Sequence, residues 1–466
     1  MTNDYQTKEA LADLAVLLGA TGYLTGTDVR ERHSKDSSTA NACMPLAVLR
    51  PADTEQVSAI MRICHRAGMP VVPQGGLTGL SGGAVPSPDS VALSLERMKG
   101  VIEVNIENAS LTVWAGAALE TVQEAALTAG FEYPVDLGAR GSATIGGTIA
   151  TNAGGIRVLR HGMTRNQVLG LEVVLPDGTI VCNLRSMLKD NAGFDLKQLF
   201  VGSEGCLGII TRAVLRLSPA PRDRQTVLFG LPSYKSALQC LASARRVFQA
   251  DLTAFEGMWP AYWNIANKML AVSRKPIETE HALYVLMEIS SQDSEQLHVW
   301  LEECFAAELI TDGAVASSLS DAAAMWSIRE AIGDIGRETG GHLNFDVGLA
   351  PTRLDDFIEA CELALKDVIE EEVFYLGHIA DGNLHVIVPI PPGDHVLEAE
   401  VERRLFDVLA EREGTVTAEH GIGTLKRPWI GKTRTPEEIQ LMQVLKKAID
   451  PRDLLNPGKV VDNSAS

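Results

Sequence analysis

The chain has 466 residues, of which 45% are hydrophobic and 22% charged. That length fits about three domains, and the composition excludes a chain that is disordered in the main. Lys plus Arg number 41 against 60 Asp plus Glu, a net charge of −19 with no basic run, which argues against a nucleic-acid or anionic-membrane partner.

The opening segment, MTNDYQTKEALADLAVLLGA, has no basic stretch ahead of its apolar part. It reads as a surface helix, not a signal peptide. No run of about 18 apolar residues occurs, so no transmembrane segment is expected. The seven cysteines are scattered, odd in number and without a CxxC pair. They read as reduced thiols of a cytoplasmic protein, not as a disulfide framework or a thiolate zinc site.

The spacing predicts helices over 54–68 and 119–130, each ending in a glycine suited to a left-handed cap. Strand-like runs lie at 91–95, 111–116, 171–181 and 207–217, with a hairpin signal at Asp177-Gly178. Between them stand three glycine clusters: PQGGLTGLSGG (73–83), GARGSATIGGTIATNAGG (138–155) and GSEGCLG (202–208). Glycine lets a backbone approach a ligand and aim successive N–H groups at it. The first cluster fits neither GxxxxGK[ST] nor GxGxxG, so a P-loop and a dinucleotide fingerprint are rejected. One such loop is more often a set of turns; three within about 140 residues suit a long diphosphate ligand.

A break follows at LSPAPRDRQ, 217–225. Beyond it the spacing predicts strands at 226–231, 252–258 and 282–290 and helices at 233–250 and 293–307. An open antiparallel sheet with helices on one face is expected. WSIREAIGDIG (326–336) places Arg329 and Glu330 on a helix, as a carboxylate-binding fork or a surface salt bridge. In GHIADGNLHVIV (377–388), Asp381-Gly382 signals a two-residue hairpin. That turn sets His378 opposite His385, with Cβ atoms about 5 Å apart, where two imidazoles can share a metal. A chance pairing of histidines, or a one-residue slip that separates them, is the alternative. In TAEHGIGTLKRP (417–428), Glu419 suits a third metal ligand and His420 a proton carrier beside it; surface decoration is the bland reading. The tail reads as a helix, EEIQLMQVLKKAID, and an ordered terminal segment.

These segments together resemble the FAD-linked 2-hydroxyacid dehydrogenases, within the vanillyl-alcohol-oxidase-type flavoproteins. The resemblance runs from about residue 40 to 460. It is carried by VVPQGGLTGLSGG, DLGARGSATIGGTIATNAGGIRVLRHGMTRN, LFVGSEGCLGIITRA, GHIADGNLH, EHGIG and NPGK, in that order. It implies an α+β fold. A two-part FAD-binding domain spans 1–218, an antiparallel-sheet substrate or cap domain 219–415, and a helical C-terminal segment, 416–466, returns to the flavin. Pro73, Gly75, Gly76, Leu77, Thr78, Gly79 and Leu80 would wrap the FAD diphosphate. Ser142, Gly146, Gly147, Thr148, Asn152 and Gly155 would lie on its other side. Glu204, Gly205 and Ile209 would stand near the adenosine, and Asn456 would close on the flavin. No His or Cys stands in the 73–83 loop, so non-covalent FAD is expected, with His161 the one residue that tells against it.

His378, His385 and Glu419 match the ligands of a divalent metal, usually zinc. His420 matches the catalytic histidine and Arg329 the anchor of the substrate carboxylate. The implied reaction removes the 2-hydroxyl proton to His420 and a hydride from C2 to the flavin, giving a 2-oxo acid. A separate acceptor, such as an electron-transfer flavoprotein, a quinone or a cytochrome, would take the electrons. A homodimer is common in the family. At three polar substrate positions of D-2-hydroxyglutarate enzymes this chain departs: Asn344 replaces a lysine, Gly333 a hydroxyl residue and Ile387 an asparagine. A D-lactate-like or apolar-tailed 2-hydroxy acid is therefore favoured over D-2-hydroxyglutarate. An oxygen-using oxidase, a metal hydrolase without flavin and a non-catalytic flavin-binding protein are the rival readings.

Overall fold

The computed structural model describes residues 2–221, 223–270, 276–277, 279–291 and 293–462. Arg222, in the expected break, and the last four residues of the expected C-terminal segment lie outside the described residues. The chain divides into two compact units. The first is drawn from three stretches, Met1–Gly155, His161–Ala220 and Glu419–Ser466; the second comprises Ile156–Arg160 and Pro221–Ala418. Among the described residues, no helix is long and apolar enough to cross a membrane.

In the first unit the opening helix, Thr2–Gly22, buries Ala10, Leu14 and Leu18, one stripe at four-residue spacing. The helix Thr54–Ala67 starts where the Asp53 side chain accepts from the Gln56 amide and stops at Gly68, which adopts φ +66°. It buries Val57, Ile60, Met61 and Cys64. A four-stranded sheet runs Tyr23–Leu24, Val48–Leu49, Val91–Ser94, Val71–Gln74. Its last three strands are parallel. A five-stranded antiparallel sheet runs Val101–Asn105, Ser110–Trp114, Ile209–Arg216, Val168–Val174, Ile180–Asn183. The hairpin at Asp177-Gly178 forms, but through a wider loop: Leu175 donates to Thr179 and Gly178 takes φ +86°. That is a three-residue connection closed by a left-handed glycine.

Glu172 fastens these layers. Its carboxylate accepts from Thr54 Oγ1 (2.6 Å), Thr211 Oγ1 (2.8 Å) and Arg212 Nε (2.7 Å). Burial pushes the carboxyl up, but the Arg212 guanidinium and the two hydroxyls outweigh it and hold the group at about 2. A depressed carboxyl contributes stability above its ordinary pKa and loses it as pH falls toward the folded value. Glu172→Gln is expected to cost about 3 kcal/mol near neutrality and to flatten the acid limb between roughly pH 4.5 and 2. Urea midpoints measured against pH check this; a variant that parallels the wild type across that window refutes it.

The second unit is built on a seven-stranded antiparallel sheet. Its order is Asp312–Val315, Gln225–Leu231, Leu283–Ile289, Leu252–Met258, Phe374–His378, Asn383–Pro389, His342–Gly348. Helices cover both faces, not one. Tyr262, Trp263, Met325 and Ile328 pack with Leu228, Leu286, Leu376 and Ile387 on one side. On the other, Trp300 packs edge-on to Phe229 and Phe248, and Phe229 to Phe255. The physical reason is in the strands themselves. Leu283–Ile289 and Leu252–Met258 are buried at every position, so neither face is left for water.

Candidate functional site

The glycine loops of the first unit meet one another closely. A Cβ on Gly75 would lie 2.4 Å from Thr144 Oγ1, and one on Gly76 would lie 2.0 Å from the Ser142 carbonyl oxygen. Pro73, Leu77 and Thr78 are half-buried, while Gly79, Leu80 and Ser142 are exposed. Gly146 and Thr148 are buried in the short helix Ile145–Ala150; Gly147 and Asn152 are half-buried. Gly205 sits beside Pro73, where its Cβ would stand 3.2 Å from Pro73 Cγ. Ile209 is a core residue rather than a lining one, 1% exposed.

Strain gathers at these same positions. Leu77, Asn152, Glu204 and Asn456 all hold left-handed backbone, with φ of +60°, +49°, +51° and +47°. Each such residue costs about 1–3 kcal/mol and persists only where its surroundings enforce it. Asn456 is buried; its Nδ2 donates to the carbonyls of Gly83 (2.9 Å) and Glu204 (2.7 Å). Asn456 Oδ1 and the hydroxyl of buried Tyr133 have no partner within the protein. A buried acceptor without a partner is costly, so Asn456 Oδ1 fits a polar ligand laid on these loops. Lys459 Nζ donates to Gly83 O (3.0 Å) and Val85 O (2.6 Å), and burial pushes its ammonium down to about 8.

The loop carrying Glu419 and His420 belongs to this unit. A Glu419 carboxylate oxygen accepts from the Gly155 amide. Ser81 Oγ donates to the carbonyls of His420 (3.1 Å) and Gly421 (2.9 Å). Glu204, expected beside a cofactor, instead turns its carboxylate to this loop and accepts from the amides of Ile422 (2.7 Å) and Gly423 (2.8 Å). Burial pushes its carboxyl up, against the pull of those amides and of Lys426 and Lys459. His161, the residue that told against non-covalent attachment, is 3.4 Å from Glu132.

In the second unit His378 and His385 share one face, with ring centroids 5.8 Å apart. They are not directly opposed as the two-residue turn requires. Leu376 faces His385, so the register is displaced by two residues and the histidines stand diagonally. The turn is a four-residue loop, with the Asp381 and Gly382 amides both donating to the His378 carbonyl. Its Ile379 and Ala380 are buried, and a Cβ on Gly257 would strike Ile379. Gly382 is held at φ +84° against the Leu349 carbonyl, too close for a side chain. A displacement of two keeps side-chain parity, so the shared face survives where a slip of one would have lost it.

Glu256 was not singled out by the sequence. It lies directly across the sheet from His378, 1% exposed, with Oε1 2.8 Å from His378 Nδ1 and Oε2 2.8 Å from Arg329 Nε. Burial pushes its carboxyl up, but the His378 and Arg329 charges outweigh this and hold it below its usual range. Arg329, on the helix Leu319–Glu330, is thus in a buried ion pair, not a surface one. The signal was a lone carboxylate in the apolar strand LTAFEGM; its partner stands 122 residues away. Asp346 faces His385 in the register and accepts from Asn383 Nδ2 (2.7 Å), Thr417 Oγ1 (3.1 Å) and the Ala418 amide (3.2 Å). Asn344 is exposed and pairs with Ile387. Ile387 is fully buried in the apolar cluster with Leu376, Phe374 and Ile328. A carboxylate that fixes one nitrogen of an imidazole orients the other for a metal, and two imidazoles with carboxylates suit zinc.

Residues 45–182 match the FAD binding domain and residues 220–460 the C-terminal domain of FAD linked oxidases. The mitochondrial D-2-hydroxyglutarate dehydrogenase of Bos taurus is 38% identical over 90% of this chain and 77% of its own. A D-2-hydroxyglutarate dehydrogenase of Xanthomonas citri pv. viticola is 37% identical over 93% of this chain and 92% of its own. The structure of p-cresol methylhydroxylase with substrate bound matches with a TM-score of 0.78 at 15% identity, covering 99% of this chain and 98% of that one. That likeness shows a vanillyl-alcohol-oxidase-type fold.

Proposed function

The chain belongs to the family of FAD-linked oxidases, and from that membership we propose an FAD-dependent dehydrogenase that oxidises a D-2-hydroxy acid to the 2-oxo acid with the help of a divalent metal. The observation that carries this reading is the buried His378–His385 pair, with Glu256 joining His378 to Arg329.

Bound FAD supplies the acceptor for two electrons and the C2 hydrogen. It is held non-covalently by the loops 73–80 and 142–155 and by Asn456. A divalent metal, zinc by its donor set, supplies Lewis acidity at the 2-hydroxyl. His378 and His385 are its ligands, and the sequence resemblance adds Glu419. One oxygen of Glu419 accepts from Gly155, which leaves the carboxylate further lone pairs for a ligand. Arg329 meets the substrate carboxylate with its terminal nitrogens, because Glu256 engages Nε. His420 takes the hydroxyl proton as general base. Electrons then pass to a separate acceptor. Seven free thiols suit a reducing compartment.

The test is to add D- and L-2-hydroxy acids to the flavoprotein without oxygen. Loss of the oxidised-flavin absorbance with a D-acid is expected; a flavin that no D-acid bleaches overturns the reaction. Chelation is expected to abolish turnover and zinc to restore it, and turnover indifferent to chelation removes the metal from the proposal.

The substrate side chain is read from two positions. Asn344 carries no charge, and Gly333 stands in open space with no atom near its missing Cβ. A D-lactate-like or apolar-tailed acid is preferred on that ground, and the apolar side chain of Ile387 agrees with it. Asn344→Lys with Gly333→Ser is expected to raise kcat/KM for D-2-hydroxyglutarate relative to D-lactate by about tenfold or more, since each new polar partner is worth about 1 kcal/mol or above. An unchanged ratio refutes the assignment.

A further inference from the structure

Residues 417–422 form neither helix nor strand, so the main chain that carries His420 is held only by what grips it. Those grips come from segments distant in sequence. The Glu204 carboxylate takes the amides of Ile422 and Gly423, one per oxygen. Ser81 Oγ donates to the carbonyls of His420 and Gly421, and the Ser81 carbonyl accepts from the amides of Thr424 and Leu425. The Val460 amide donates to the Gly423 carbonyl.

The stretch Gly421–Gly423 has the form of an anion-binding nest. Gly421 and Gly423 both hold positive φ, which aims neighbouring amides into one concavity. Such nests usually receive a phosphate or a substrate anion. Here the nest is filled from within: a Cβ on Gly421 would already lie 2.8 Å from Glu204 Oε1. Glu204 itself cannot move freely. Its left-handed backbone donates to the Ala150 carbonyl (2.8 Å), and its own carbonyl accepts from Asn456 Nδ2. One residue thus joins the His420 loop to three of the segments assigned to FAD.

We propose that Glu204 is a positioning residue for His420, its carboxylate acting as a built-in anion that shapes the histidine's loop from the cofactor cradle. The catalytic part of this rests on the role of His420 proposed above. Two consequences follow. The nest is closed to the substrate carboxylate, which is left to Arg329. The loop is gripped by the turn at Glu204, which the tail holds through Asn456, so filling the cradle with FAD also firms the loop.

Amide hydrogen exchange on the holoenzyme reads this directly. In Glu204→Ala the Ile422 and Gly423 amides are expected to exchange about tenfold faster or more, because their acceptor is gone. Glu204→Gln, with one acceptor oxygen for two donors, is expected to fall between. For both variants kcat for the acid that bleaches the wild-type flavin is expected to fall about tenfold, with KM changed less than twofold. Amides as protected in Glu204→Ala as in the wild type overturn the proposal. So does a loosened loop with undiminished kcat. Where Glu204→Ala fails to hold FAD, judged by absorbance, Glu204→Gln decides by the same two readings. His420→Asn separates this from the role of the histidine: a variant that turns over normally removes that role, while the exchange result still decides what Glu204 holds.

Discussion

Replacing His420 by asparagine is expected to lower kcat by about 10²–10⁴-fold, the usual worth of a positioned general base. Asparagine keeps a similar volume and cannot take the hydroxyl proton. The backbone of His420 is bound through its carbonyl to Ser81, and that hydrogen bond does not depend on the side chain. The variant is therefore expected to fold, retain FAD and keep its visible spectrum. Stopped-flow reduction under anaerobic conditions is the measurement, because it reports the first half-reaction apart from the electron acceptor. Flavin reduction at the wild-type rate would sink the assignment and return proton removal to another group.

Gly76→Ala is expected to release the cofactor. The methyl group would stand 2.0 Å from the Ser142 carbonyl oxygen and 3.1 Å from Ala143 Cα. Both neighbours are backbone, so neither can rotate away. Forcing them apart costs about 1–3 kcal/mol of overpacking strain, or roughly a tenfold to hundredfold loss of FAD affinity if the strain is relieved by opening the cradle. Fluorescence titration of apoprotein with FAD measures it. Gly138→Ala, at a position with open space around the missing Cβ, is the matched control. Equal affinities in the two variants would show that the contact between the loops does not shape the cofactor site.

How much of this was legible in the sequence depends on the range of the interaction. The glycine loops were, because close approach of backbone to backbone leaves its mark in composition. The shared face of His378 and His385 was legible for a similar reason: parity survives a two-residue displacement, so a wrong turn length still gave the right face. The breadth of the loop was not, because Ile379 packs into the room left by Gly257, which belongs to a strand more than a hundred residues earlier. Glu256 escaped notice because a single carboxylate in an apolar strand has no local partner to announce it. The strain at Leu77, Asn152, Glu204 and Asn456 was invisible too, since only glycine advertises a left-handed backbone. The two-sided helix cover was written in LYVLMEI, which has no polar alternation, but a run of that kind does not say what will cover it.

The first unit closes on itself across a great length of chain. Val71 receives Leu455 in an isolated bridge, and Asn456 reaches the Gly83 carbonyl 373 positions away. Residues 221–418 of the second unit emerge from the ribosome in between, as one nearly continuous block that can condense while the first unit waits. The long loop adds only logarithmically to the entropy of closure, so the delay is one of order in time and not of final stability. During synthesis the glycine loops therefore stand without their tail, and a nascent chain halted before Asn456 lacks the residue that spans Gly83 and Glu204. The clasp that joins Gly83 to Glu204 is therefore among the last contacts of the first unit to form.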